Sequence, residues 1–146
     1  MARLSFLWVI VTTANAENAD TDSRFQLNVR VPNVPGIATW IRQPFPDIPS
    51  PDERERNATD QYRFDYRSRS PAIDMTFLDG SEIEIEILGD DAWLPSSIWV
   101  IGEDVNGDRR LIAGRPTWPT SVDNGWFSTD TSEGRPRRAL IPSLVG

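Results

Sequence analysis

Cysteine, histidine and lysine are all missing from this chain of 146 residues. Each absence closes a class of chemistry. Without cysteine no disulfide framework exists, so packing and sheet hydrogen bonds must hold the fold. Without histidine and cysteine the common ligand sets for zinc, copper and haem are gone, and only oxygen ligands remain, which suit calcium or magnesium. A nucleophile activated by histidine, cysteine or lysine is excluded as well. A pair of carboxylates could still do acid/base work on a glycosidic bond, but no motif singles out two among the 22 acids.

Long apolar runs are scarce too. The one near the start, Leu4 to Val11, falls far short of the roughly 20 residues a membrane-crossing helix needs, so no membrane span is expected. Its surroundings fit an export signal: Met1, Ala2 and Arg3 make a short positive start, and Ala14-Asn15-Ala16 is a small-x-small cleavage site. The reading is a signal at 1–16, a secreted or periplasmic destination, and one domain at 17–146. The competing reading of the same run is a buried N-terminal strand.

Every basic residue is arginine, and the 15 arginines face 22 acids for a net charge of −7. The two signs are interleaved, as in Asp52-Glu53-Arg54-Glu55-Arg56. A surface that neutralises phosphates needs a basic excess, so nucleic acid is excluded as a partner, and the acidity disfavours anionic lipid.

What is present is a period of two. Phe25, Leu27, Val29 and Val31 alternate with Gln26, Asn28 and Arg30, the mark of a strand with one buried face. Ile37 to Ile41 suits a short second strand. Residues 43–60 hold Pro44, Pro46, Pro49 and Pro51 and then a charged run, so they read as a long Pro-rich loop. Tyr62, Phe64 and Tyr66 resume the alternation. Ile73, Met75 and Phe77 lead into Asp79-Gly80, and Ile83, Ile85 and Ile87 lead out, which predicts a hairpin. A second hairpin is predicted around Asn106-Gly107, between Ser97–Glu103 and Asp108–Ala113. Trp126-Phe127 and Leu140 to Val145 complete a set of seven or eight short strands. That set predicts an all-β fold, an antiparallel β-sandwich or jelly roll, because one open sheet of that size would leave an apolar face uncovered.

Three constellations carry chemistry. Trp93, Trp118 and Trp126, with Phe127, stand in turn-like contexts beside Asp, Asn and Thr. Flat rings beside hydroxyl-binding groups suit a sugar or an extended peptide, and plugging the ends of a sandwich is the competing role. Trp99, inside the apolar Ile98 to Ile101, reads as core. Asp104, Asn106 and Asp108 resemble the opening of a calcium loop, but Arg109 and Arg115 occupy the sixth and twelfth positions, where such a loop has glycine and a closing acid. A hairpin tip is the alternative. Glu82, Glu84 and Glu86 share one strand face, their repulsion relieved by water, by cross-strand arginines or by a cation. Asn57-Ala58-Thr59 is a glycosylation sequon.

The function these residues predict is a secreted, non-catalytic binding module for a glycan or an extracellular protein, with no cofactor unless calcium binds. A structural or assembly subunit that self-associates through exposed strand edges is the alternative, and a carboxylate hydrolase a distant third.

Overall fold

The computed structural model describes residues 3–13, 24–31, 40–46, 59–69, 72–78, 81–88, 93, 95–115 and 138–141. Eight strands are present among them: β1 (Leu4–Thr13), β2 (Phe25–Arg30), β3 (Ile41–Pro44), β4 (Thr59–Asp65), β5 (Glu82–Ile87), β6 (Pro95–Asp104), β7 (Arg109–Arg115) and β8 (Arg138–Ile141). They form two antiparallel four-stranded sheets, ordered β4-β1-β6-β7 and β3-β2-β5-β8. The fold is an antiparallel β-sandwich, as the alternation predicts.

The core lies between the sheets. Leu7, Val9 and Val11 of β1, Tyr62 and Phe64 of β4, and Ile98 and Val100 of β6 point inward from the first sheet. Phe25, Leu27 and Val29 of β2 with Ile83, Ile85 and Ile87 of β5 meet them from the second. Phe45, just beyond β3, joins the layers: its ring sits 4.8 Å from that of Tyr62, 5.1 Å from Phe64 and 6.0 Å from Phe25.

The run expected to be the apolar part of an export signal is β1, hydrogen-bonded to β4 on one side and β6 on the other. In the full chain the run thus takes the form of a buried N-terminal strand. Burying Leu4, Leu7, Val9 and Val11 contributes on the order of 6–12 kcal/mol, comparable to the whole stability of an ordinary domain. Cleavage after Ala16 would remove the strand that joins β4 to β6.

Three further expectations change. Ile73, Met75 and Phe77 form no strand; Met75–Leu78 is a 3-10 turn. Its cause is local, because Asp74 Oδ1 accepts both the backbone N–H and the hydroxyl of Thr76 at 2.9 and 2.8 Å, and such side-chain capture competes with a ladder. β5 accordingly pairs with β2 and β8 rather than with a preceding hairpin strand. Of the second strand expected at Ile37 to Ile41, residues 37–39 lie outside the described residues; β3 holds Ile41 and runs on to Pro44, a proline that an edge strand tolerates. The hairpin at Asn106-Gly107 is present, with Gly107 at φ 83°, a conformation that favours glycine. Asp79-Gly80, residues 47–58 of the Pro-rich segment, and residues 142–146 lie outside the described residues.

Candidate functional site

Side chains of β1 alternate between the two sides of the first sheet. The inward row is core, and the outward row is Phe6, Trp8 and Ile10, all partly exposed. Cross-strand pairing sets Ile101 beside Trp8 and Trp99 beside Ile10 on β6, and Leu111 of β7 beside Ile101. An apolar band therefore crosses the solvent side of the sheet, where a one-sided sandwich strand would normally carry polar groups. Leu111 is 41% exposed.

Arginines frame this band. Arg63 of β4, directly across from Trp8, holds its guanidinium carbon 4.6 Å from the ring centroid of Phe6 and 5.8 Å from that of Trp8. Arg67 lies 4.9 Å from Phe6, and Arg109 lies 4.9 Å from Trp8. Planar cations over ring faces are attracted by the ring quadrupole and shield it from water. Two of the three are also paired with acids: Arg67 with Asp65 at 2.8 Å, and Arg109 with Glu103 at 2.7 Å. The Arg67 hydrogen bonds hold the Asp65 carboxyl down to about 2. Among the described residues Arg63 has no acid within ion-pair distance and no side-chain hydrogen bond; the rings hold it, and its charge acts on Asp65 only from farther off. The covered indole N–H of Trp8 likewise has no acceptor. The face thus offers a guanidinium with no direct acid partner among the described residues and a row of partly exposed rings.

The outward side of the second sheet is of another kind. Glu84 and Glu86 on β5 are buried, and both accept from Asn28 Nδ2, at 2.7 and 3.1 Å. Gln26 Nε2 donates to Asn28 Oδ1 at 2.9 Å, Arg42 reaches Glu86 at 3.5 Å, and Arg30 pairs with Glu82. Of the ways to relieve the repulsion expected along Glu82, Glu84 and Glu86, the structure uses cross-strand arginines, with the Asn28 amide beside them. A buried carboxylate needs such partners, because burial removes its hydration. Both carboxylates are immobilised by one amide and shielded, so they serve the fold rather than an accessible acid/base pair.

The residues singled out by sequence fall elsewhere. Trp93 is 1% exposed, packs edge-on against Phe25 at 4.9 Å and donates its indole N–H to Thr13 Oγ1 at 2.9 Å. It plugs the core, so its assignment to a ligand platform is corrected; a turn context did not reveal that the ring points inward. Trp99, read as core, faces outward, because Ile98 and Val100 take the inner positions. Trp118, Trp126, Phe127 and Asn57 lie outside the described residues. Asp104, Asn106 and Asp108 form the tip of the β6–β7 hairpin. Asp104 Oδ1 accepts from the backbone N–H groups of Asn106 and Asp108 at 2.8 and 3.1 Å, which is turn chemistry. Among the described residues no group of three or more acids converges as a metal site would require, and no helix is long and apolar enough to cross a membrane.

No family model matches the sequence, and no curated protein matches it in sequence. Solved structures do match in fold. One is the alpha toxin from Clostridium absonum, 17% identical with a TM-score of 0.61 over 98% of this chain. Another is the alpha-toxin of an avian strain of Clostridium perfringens, 16% identical with a TM-score of 0.62 over 96%. The chain spans about a third of the length of each toxin, 32%. At such identities the likeness establishes the sandwich and nothing finer.

Proposed function

We propose that the chain is a non-catalytic binding module that engages a glycan or an extracellular protein through the Arg63-framed aromatic face of its first sheet. The observation that carries this reading is Arg63, stacked on Phe6 and Trp8 with no acid within ion-pair distance among the described residues. Rings partly open to solvent, with donors at their rim, are what an apolar sugar face or an aromatic-binding protein surface takes up. The recurrence of the fold as a third of two larger toxins supports a modular role and an extracellular setting. The composition is in keeping with a role other than nucleophilic catalysis, since it offers no histidine, cysteine or lysine.

The test is a fluorescence and calorimetric titration of the full chain and of Trp8→Ala against neutral and acidic oligosaccharides and extracellular matrix proteins, with and without calcium. Expected is saturable binding that weakens about tenfold or more in Trp8→Ala while the thermal midpoint shifts only slightly, because the ring is at the surface. Binding that is unchanged in Trp8→Ala would place the ligand elsewhere. Any calcium dependence would reopen an ion site.

A further inference from the structure

We infer that β4 is an acceptor edge, taking up an extended acidic peptide as a fifth strand of the first sheet. The inference rests on the proposed docking face and names the kind of partner it takes. Among the described residues strand order leaves β4 at the end of its sheet, with β1 on one side only. The backbone N–H of Tyr66 donates to Ser5 O at 2.8 Å, which fixes the phase of the β1–β4 ladder. In an antiparallel pair, residues that exchange hydrogen bonds alternate with residues that do not. With Ser5 and Tyr66 bonded, the register Leu7↔Phe64, Val9↔Tyr62, Val11↔Asp60 is the bonded set. Thr59, Gln61, Arg63 and Asp65 therefore turn their N–H and C=O groups away from β1, and all four are exposed.

Their side chains stand on the outward face of the sheet, the face that carries Phe6 and Trp8. A strand added along this edge places alternate side chains beside Thr59, Gln61, Arg63 and Asp65. Arg63 calls for an acid there, since opposite charges across a strand pair attract and like charges repel. Asp65 makes no comparable demand, being held by Arg67. The intervening side chains of the added strand point to the inner side, toward the rim where the partly buried Phe45 packs on Tyr62 and Phe64, and so call for apolar residues. An alternating acidic and apolar peptide meets both requirements. A second copy of β4 fits less well: the register that overlaps the whole strand sets Gln61, not an acid, against Arg63. Edges of this kind are the usual templates for strand addition.

The experiment uses the full chain and a blocked nine-residue peptide alternating valine with glutamate, with a valine–lysine repeat as control. Affinity is read by calorimetry, and protection at Gln61 and Arg63 by backbone amide exchange. Gln61→Pro removes an outward N–H without breaking the β1–β4 ladder, and edge strands accept proline there. Expected are binding of the glutamate peptide with slowed exchange at Gln61 and Arg63, a loss of about tenfold or more in Gln61→Pro, and a reversed preference for the lysine peptide in Arg63→Glu. Should Gln61→Pro fail to fold, the exposed Arg63→Glu still decides through that reversal. Binding that survives Gln61→Pro but is lost in Trp8→Ala would overturn strand addition and leave the docking face standing. Failure of both peptides, with a glycan bound instead, would do the same. Self-association abolished by Gln61→Pro, with no peptide binding, would assign the edge to a second copy and overturn the inference.

Discussion

At the residue scale, buried polar groups divide into those with partners and those without. Asn28 has three side-chain hydrogen bonds, whereas the Tyr66 hydroxyl is buried with no partner among the described residues. Burial pushes this phenol well above its ordinary range, partly opposed by Arg69. A phenol whose folded value is raised adds stability that is fully present below the unfolded value of about 10 and is lost as pH rises beyond it, because only the unfolded chain then gives up its proton. Tyr66→Phe is expected to raise stability by about 1 kcal/mol at neutral pH by removing an unmet desolvation cost, and to soften the alkaline decline. Thermal unfolding at pH 7 and pH 11 checks both. A lower midpoint at pH 7 would mean that the hydroxyl has a partner.

Strands are the scale at which sequence and structure agree and part most instructively. Period-two alternation located β2, β4, β5 and the β6–β7 hairpin, since each has one apolar side and turn chemistry at its ends. It could not interpret β1 or the middle of β6. Both present apolar residues to core and docking face alike, so the alternation vanishes into a continuous run, and such a run at an N-terminus has the form of a signal. The candidate site is hidden by the same fact: Phe6, Trp8 and Ile10 at every second position are its trace, but they lie inside a run with the form of an export signal. Its arginine partners are far away in sequence, and only the register brings them together. Deleting residues 1–16 is expected to abolish cooperative unfolding, and intact-mass measurement of purified protein should find β1 retained. A truncated chain that unfolds with an undiminished midpoint would show that β1 is dispensable.

For the molecule as a whole, the question is what joins two sheets that have no disulfide. Phe45 does much of it, since one ring touches β2 and β4 from opposite layers. Phe45→Ala is expected to cost about 3 kcal/mol while preserving a single transition, because the two inner faces share one core. Denaturant curves followed by tryptophan fluorescence and by far-ultraviolet circular dichroism should shift together. Curves that separate would mean that the sheets can come apart independently.

The place of β1 also sets the timing of synthesis. Leu7 meets Phe64 on one side and Gly102 on the other, so neither neighbour exists when β1 leaves the ribosome. At about 5–20 residues per second a strand apolar on both faces waits for seconds with nothing to pair with. Over that interval the nascent chain exposes an unpaired apolar strand, and a pause in translation before β6 would prolong that exposure more than the same pause placed after β7.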